Sequence, residues 1–319
     1  MPNLQERFTG CLLGAAIGDA LGMPMEDLTL EERDRYYGGE IRDFVTPHRD
    51  TPCGTLQAGQ YTDDTQLLIA TIESIIESKG FNPEHLSQRL IKWYLEEDEE
   101  RYRGEATKQG IINLMNGVPW YEAGIDKTGC GAATRAVPFG LLYYKDTGKA
   151  TEHARLAGSM THKNALAQDG SSCVATCIAL LTNGELPTIE TLKNNTHTLD
   201  FKNKLDDVEL CLRRGFGLRE AIGVLGNSSV ASETVGLVLF LFLRNPLNFE
   251  EVVRYAVNAA TETKGGDTDS IGYLVGAMSG TYSGIQVIPQ KWTQGVENAS
   301  RLRKLARKLY LVAASKESS

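Results

Sequence analysis

Apolar residues recur at helical spacing along most of this chain, and few segments alternate with the two-residue period of a half-buried strand. The pattern predicts helices over residues 4–22, 63–79, 83–95, 106–116, 132–145, 165–181, 230–243, 249–260, 270–282 and 298–314. Residues 41–46 form the one modest strand candidate. No low-complexity stretch, linker-like segment or repeat with a period of about 20–50 residues interrupts the pattern, so a single all-α domain over residues 1–319 is expected.

Gly10, Gly14, Gly18 and Gly22 recur every fourth residue in the first predicted helix. Each glycine costs roughly 1 kcal/mol relative to alanine in a helix interior, and four on one face call for a compensating close approach of backbone to backbone. A buried central helix is the simplest reading. Membrane pairing through the same spacing is disfavoured by Asp19 and by the short apolar length.

Composition narrows the function classes. Lys and Arg total 33 against 41 Asp and Glu, a net charge of −8, which argues against binding nucleic acid by neutralising phosphates. At 41% hydrophobic and 23% charged, the chain lies far from disordered composition. The N-terminus shows no secretory leader pattern, and the longest strongly apolar run, 236–243, is too short to span a bilayer. Six cysteines without a CxxC pair suggest neither a disulfide scaffold nor zinc; Cys173 and Cys177, four apart on a helix, read as small buried hydrophobes. A cytoplasmic protein is expected.

Chemistry first becomes visible at Tyr61-Thr62-Asp63-Asp64-Thr65, just before an apolar-periodic run. A capping threonine and acids at the positive end of the helix dipole explain part of it. Two adjacent carboxylates between two hydroxyls also form a dense set of hard oxygen ligands. A second such set, Gly265-Gly266-Asp267-Thr268-Asp269-Ser270, precedes another apolar stretch, and a third acid, Glu26, follows the glycine-rich helix. Spacing alone does not bring these together. The turn Gly129-Cys130-Gly131-Ala132-Ala133 opens a helix without forming a GxGxxG fingerprint, and GxSxG, HExxH and P-loop motifs do not occur.

Taken in order, the segments GDALGMPME (18–26), YTDDTQ (61–66), GCGAATRAVPFGLLY (129–143), THKNALA (161–167), SETVGLVLF (232–240), GGDTDSIG (265–272) and GTYSG (280–284), with Trp292 downstream, resemble the ADP-ribosylglycohydrolase family over nearly the whole chain. The resemblance implies a compact all-α fold with a central metal cleft. It implies two divalent cations, Mg²⁺ or Mn²⁺, held by Thr62, Asp63 and Asp64 from one side and by Asp267, Asp269 and Ser270 from the other. Glu26 matches a glutamate that binds metal or activates water, with Asp64 as the alternative base. Asp19 reads equally well as a structural hydrogen-bonding residue. Gly129, Cys130, Gly131, Ala132 and His162 match the ADP-ribose pocket, although many members carry asparagine where this chain has Cys130 and methionine where it has Thr134. Residues 101–104, after the acidic run 96–100, fall where members place a substrate loop. The implied activity is hydrolysis of the bond joining the anomeric carbon of ADP-ribose to a protein side chain or small acceptor, with no nucleic-acid or membrane partner. A di-metal phosphohydrolase and a catalytically silent, crystallin-like relative are the alternatives.

Overall fold

Asn3 and Glu6 form a reciprocal cap at the start of the first helix: the Glu6 N–H donates to Asn3 Oδ1 at 2.9 Å, and the Asn3 N–H donates to Glu6 Oε2 at 2.7 Å. The chain then runs as helix α1 (Leu4–Gly22), apolar on all faces and buried from Gly10 through Gly22. A short 3-10 turn, Met23–Met25, follows at Pro24. The structure, a computed structural model, describes residues 1–96, 101 and 103–316. In chain order the remaining helices are α2 (Leu30–Tyr37), α3 (Asp63–Glu77), α4 (Pro83–Glu96), α5 (Glu105–Met115), α6 (Gly131–Thr134), α7 (Val137–Leu142), α8 (Thr147–Ser159), α9 (Ala165–Thr182), α10 (Ile189–Asn194), α11 (Leu199–Arg214), α12 (Leu218–Leu225), α13 (Ala231–Arg244), α14 (Phe249–Val257), α15 (Thr268–Ser283), α16 (Gln290–Gly295) and α17 (Ala299–Ser315). The described residues contain no strand.

The expected glycine face of α1 meets a second one. On α15, Gly272, Gly276 and Gly280 repeat the same spacing, and the two helices lie antiparallel with position 10 against 280, 14 against 276, 18 against 272 and 22 against Thr268. A Cβ added at any of the four α1 glycines would overlap a carbonyl oxygen of α15, and one added at Gly276 would overlap the carbonyl of Gly14. Backbone touches backbone along the whole pairing. Its register brings the C-terminal end of α1 to the N-terminal end of α15, and with it Glu26 to Asp267 and Asp269.

Helices α1 and α9 have the length and apolar composition to cross a bilayer, yet 94% of the apolar window of one and 83% of that of the other lie inside the fold. Burial in a protein core accounts for their character. All six cysteines are buried free thiols, Cys173 and Cys177 among them.

Two local expectations are corrected. Residues 41–46 form no strand, because the Asn258 side chain takes the place of a partner: Ile41 N–H donates to Asn258 Oδ1 at 2.9 Å, and Asn258 Nδ2 donates to Ile41 O at 3.0 Å. The helix expected over 132–145 is two short ones, α6 and α7, with Pro138 in the first turn of α7, where its missing N–H is harmless.

Candidate functional site

Glu26 sits where the two glycine-paired helices end together. Its Oε2 accepts the N–H of Thr268 at 2.9 Å and that of Asp269 at 3.5 Å, while Thr268 Oγ1 donates to Gly22 O at 2.9 Å. The N-terminus of α15 thus holds one carboxylate oxygen of Glu26. Asp267 is fixed from other elements: its N–H donates to Asn227 O, and its Oδ2 accepts from Thr234 Oγ1 and from Cys130 Sγ, both at 3.1 Å. Carboxylate oxygens of Glu26, Asp267 and Asp269 lie within 4.8 Å of one another, and all three residues are buried. Asp269 is within hydrogen-bonding reach of both others.

The second acidic set enters on α3, and Asp19 puts it there. Asp19, fully buried on α1, accepts the Thr62 N–H at 2.9 Å through Oδ1 and, through Oδ2, the Thr65 N–H at 3.1 Å and the Thr65 hydroxyl at 2.6 Å. This carboxylate caps α3 from outside, a structural role. The Thr62 hydroxyl accepts the Asp64 N–H at 3.4 Å, and the Asp63 N–H donates to Arg101 O at 3.1 Å. Ser270 Oγ donates to Asp64 Oδ2 at 2.8 Å, joining two sets that are 206 residues apart in sequence.

So many carboxylates in one dry place raise one another's proton affinity. Burial, then the charge of Asp269, pushes Glu26 well above the usual carboxylate range; burial and Asp64 do the same to Asp63, and burial and Asp269 to Asp267. Asp64 is pushed up to about 7 by burial and Asp269, with the hydroxyls of Thr134 and Ser270 opposing the shift. The nearby cation is Arg135, itself buried and lowered by desolvation to about 10. Carboxylates this close persist only by sharing protons or by sharing cations. Glu26 and Asp267 each use one oxygen in the bonds above, and Asp269 uses Oδ1 to accept the Ser270 N–H at 2.7 Å; each has a second oxygen suited to a hard cation, so the residues fit a divalent metal.

The acids form the floor of a cavity of about 640 Å³, a size suited to a small-molecule ligand. Of the residues singled out in the sequence, Glu26, Asp63, Asp64, Gly129, Cys130, Gly131, His162, Asp267, Asp269 and Ser270 line it. Thr62 and Ala132 do not; both are fully buried behind it. The rim adds Arg103, from the 101–104 segment, and two cations that the sequence reading missed, Lys127 and Lys264. Lys127 and Lys264 lie in separate loops, and no spacing marks them. In the 101–104 segment, Arg103 and Gly104 reach the cavity, whereas Arg101 pairs with Glu297 at 2.6 Å and donates to Tyr61 O. Tyr102 and residues 97–100 of the acidic run lie outside the described residues.

Similarity to known proteins extends over the whole chain. A protein of Archaeoglobus fulgidus without an assigned function is 35% identical, covering 96% of this chain and 97% of its own length. The ADP-ribosylhydrolase ARH3 of Bos taurus is 26% identical, covering 96% of this chain and 93% of its own. A solved structure described as an ADP-ribosylglycohydrolase-related protein complex superposes with a TM-score of 0.76 at 26% identity, over 97% of this chain and 99% of that one. With the ADP-ribosylglycohydrolase family model matching residues 1–319 as well, the chain belongs to the ADP-ribosylglycohydrolase family.

Proposed function

We propose that the protein is a metal-dependent hydrolase that cleaves the N- or O-glycosidic bond at the anomeric carbon of ADP-ribose, releasing ADP-ribose from a modified side chain or a small acceptor. One observation carries the reading: a buried three-carboxylate cluster floors a cavity whose rim bears Arg103, Lys127 and Lys264. The floor suits cations and ribose hydroxyls, and the rim suits a diphosphate.

In this reading Asp63 and Asp64 from one side, and Asp267, Asp269 and Ser270 from the other, would hold two divalent cations, Mg²⁺ or Mn²⁺, while Thr62, expected from the sequence as a further ligand, caps α3 behind the cavity. When bound, such cations supply Lewis acidity at the ribose hydroxyls and at water. Glu26, anchored through Oε2 by the start of α15, offers Oε1 to take the proton of the attacking water, and Asp64 is the second carboxylate able to do so. Water oxygen bonds to the anomeric carbon as the glycosidic bond breaks, and the acceptor leaves with a proton. The surrounding carboxylates favour the positive charge that develops on the sugar. In the turn before α6, the Cys130 N–H is held by Ser229 O at 2.8 Å. Of the first N–H groups of α6, that of Gly131, which lines the cavity, would then serve the diphosphate, while Ala132 lies behind it.

The deciding experiment is hydrolysis, with and without Mg²⁺ or Mn²⁺, of ADP-ribosylated arginine, ADP-ribosylated serine and O-acetyl-ADP-ribose, with free ADP-ribose identified as product. Chelation is expected to abolish turnover and either cation to restore it, with Zn²⁺ a poor substitute for want of clustered Cys or His. Full turnover after metal stripping would refute metal dependence. ADP-ribose binding without cleavage of any substrate would support a silent relative, and phosphate release a phosphohydrolase.

The pocket is tested separately. A Cβ at Gly131 would lie 3.0 Å from His162 Cε1, so Gly131→Val is expected to weaken ADP-ribose binding at least roughly tenfold, within the cost of overpacking a fitted site. Cys130→Ser keeps a donor toward Asp267 and is expected to stay within about threefold of wild type. Calorimetric titration with ADP-ribose checks both; equal losses would shift recognition to the Cys130 side chain.

A further inference from the structure

His162 lies against Gly129 and Gly131 at the cavity wall, where a Cβ on Gly129 would be 3.3 Å from its Nε2. On the ring's far side Nδ1 is 2.8 Å from Thr161 Oγ1. That hydroxyl also receives a hydrogen bond from Arg135 Nη2. A guanidinium only donates, so one lone pair of Thr161 Oγ1 is an acceptor, and its single proton has two destinations. One is Gly158 O, 3.4 Å away, which already accepts the N–H groups of Thr161 and His162 at 3.1 and 2.9 Å. The other is His162 Nδ1, which is closer.

We propose that Arg135, acting through the Thr161 hydroxyl, fixes His162 as the Nε2–H tautomer and so presents the pocket with a permanent uncharged hydrogen-bond donor for an oxygen of the ADP-ribosyl group. The recognition half of this inference rests on the function proposed above; the tautomer does not. Thr161 and Arg135 stand behind His162 and do not line the cavity, so they are positioning residues. Both are buried, and the backbone on either side of His162 is pinned, with Ile125 N–H donating to Thr161 O at 3.0 Å and Lys163 N–H to Ile125 O at 2.8 Å. Burial and then the positive charge of Arg135 hold the imidazole down to about 3, so it stays neutral at working pH. A phosphate or ribose oxygen would meet a directed donor instead of a mobile cation.

The test is the ¹⁵N spectrum of His162 in the full-length protein, assigned by the signals missing from His162→Gln. Wild type is expected to show an unprotonated Nδ1 and a protonated Nε2, unchanged between about pH 5 and 8. Thr161→Val keeps the side-chain shape, removes the relay and is expected to lose the fixed tautomer and to weaken ADP-ribose binding roughly tenfold, the loss of one directed hydrogen bond. Thr161→Ser restores both. A protonated Nδ1 in wild type overturns the proposal whether or not the variants fold. So does a Thr161→Val protein whose spectrum and ADP-ribose affinity both match wild type. Wild-type protein that shows the expected tautomer yet binds no ADP-ribose would count against the functional reading and against the donor's proposed use, while the relay itself would stand.

Discussion

Glu26→Gln protein is expected to fold normally and to turn over substrate roughly 10²–10⁴-fold more slowly, the usual contribution of a positioned acid or base. Glutamine matches glutamate in shape, but only its amide oxygen can accept the N–H groups of Thr268 and Asp269. That orientation turns the NH₂ group to the side where, on the proposed function, the cation and water would need an anionic oxygen. If the residue acts chiefly as base, kcat falls while metal and ADP-ribose affinities hold; if it acts chiefly as ligand, metal affinity falls with kcat. Asp64→Asn, with the same two measurements, identifies the other role. Near-normal turnover in Glu26→Gln would remove that residue from the reaction.

The largest effect on stability is expected from a single methyl group. In Gly18→Ala the new Cβ would overlap the carbonyl of Gly272, and in Gly276→Ala that of Gly14. Neither neighbour can swing aside, since both are backbone within a helix, so the helices must separate along their length. Each variant is expected to lose about 3 kcal/mol or more, at or beyond the upper end of overpacking costs. It should also bind metal more weakly, because the same separation moves Glu26 from Asp267 and Asp269. Gly223→Ala on α12, which meets nothing within 4 Å, provides the control; there alanine is expected to stabilise by roughly 0.5–1 kcal/mol. Urea midpoints and calorimetric metal titration check both effects, and a Gly18→Ala protein as stable as wild type would show the pairing to be looser than described.

Nine of the helices match one predicted segment each, because their apolar spacing is strong, and the sequence also shows the glycine face of α1. It does not show what that face meets. Gly272, Gly276 and Gly280 repeat the spacing, but equal spacing fixes neither direction nor register, and only the antiparallel register places Glu26 beside Asp267 and Asp269. Helices α2 and α8 escape the hydrophobic pattern because they bury little: α2 has no buried residue, and its one clear signal is the Thr29–Glu32 capping box. Helix α11 is likewise absent from the predicted elements, although Phe201, Leu205, Val208 and Cys211 face inward at helical spacing. In the site, the acids announce themselves as adjacent pairs, whereas Arg103, Lys127 and Lys264 converge only through three separate loops. The split of 132–145 follows from a turn between α6 and α7 that residue periodicity alone does not mark.

The pairing of α1 with α15 also sets the order of events when the chain is made. Thr268 binds Gly22 across 246 residues of sequence, and no earlier segment can replace it along the glycine face. On a ribosome the most apolar stretch of the N-terminal region must wait for nearly the whole chain to emerge. A high-contact-order step of this kind is slow, and it leaves an apolar surface exposed to aggregation in the meantime. The three-carboxylate cluster closes in that same final docking. Metal uptake during refolding should therefore coincide with the last structural phase and be absent from every earlier one.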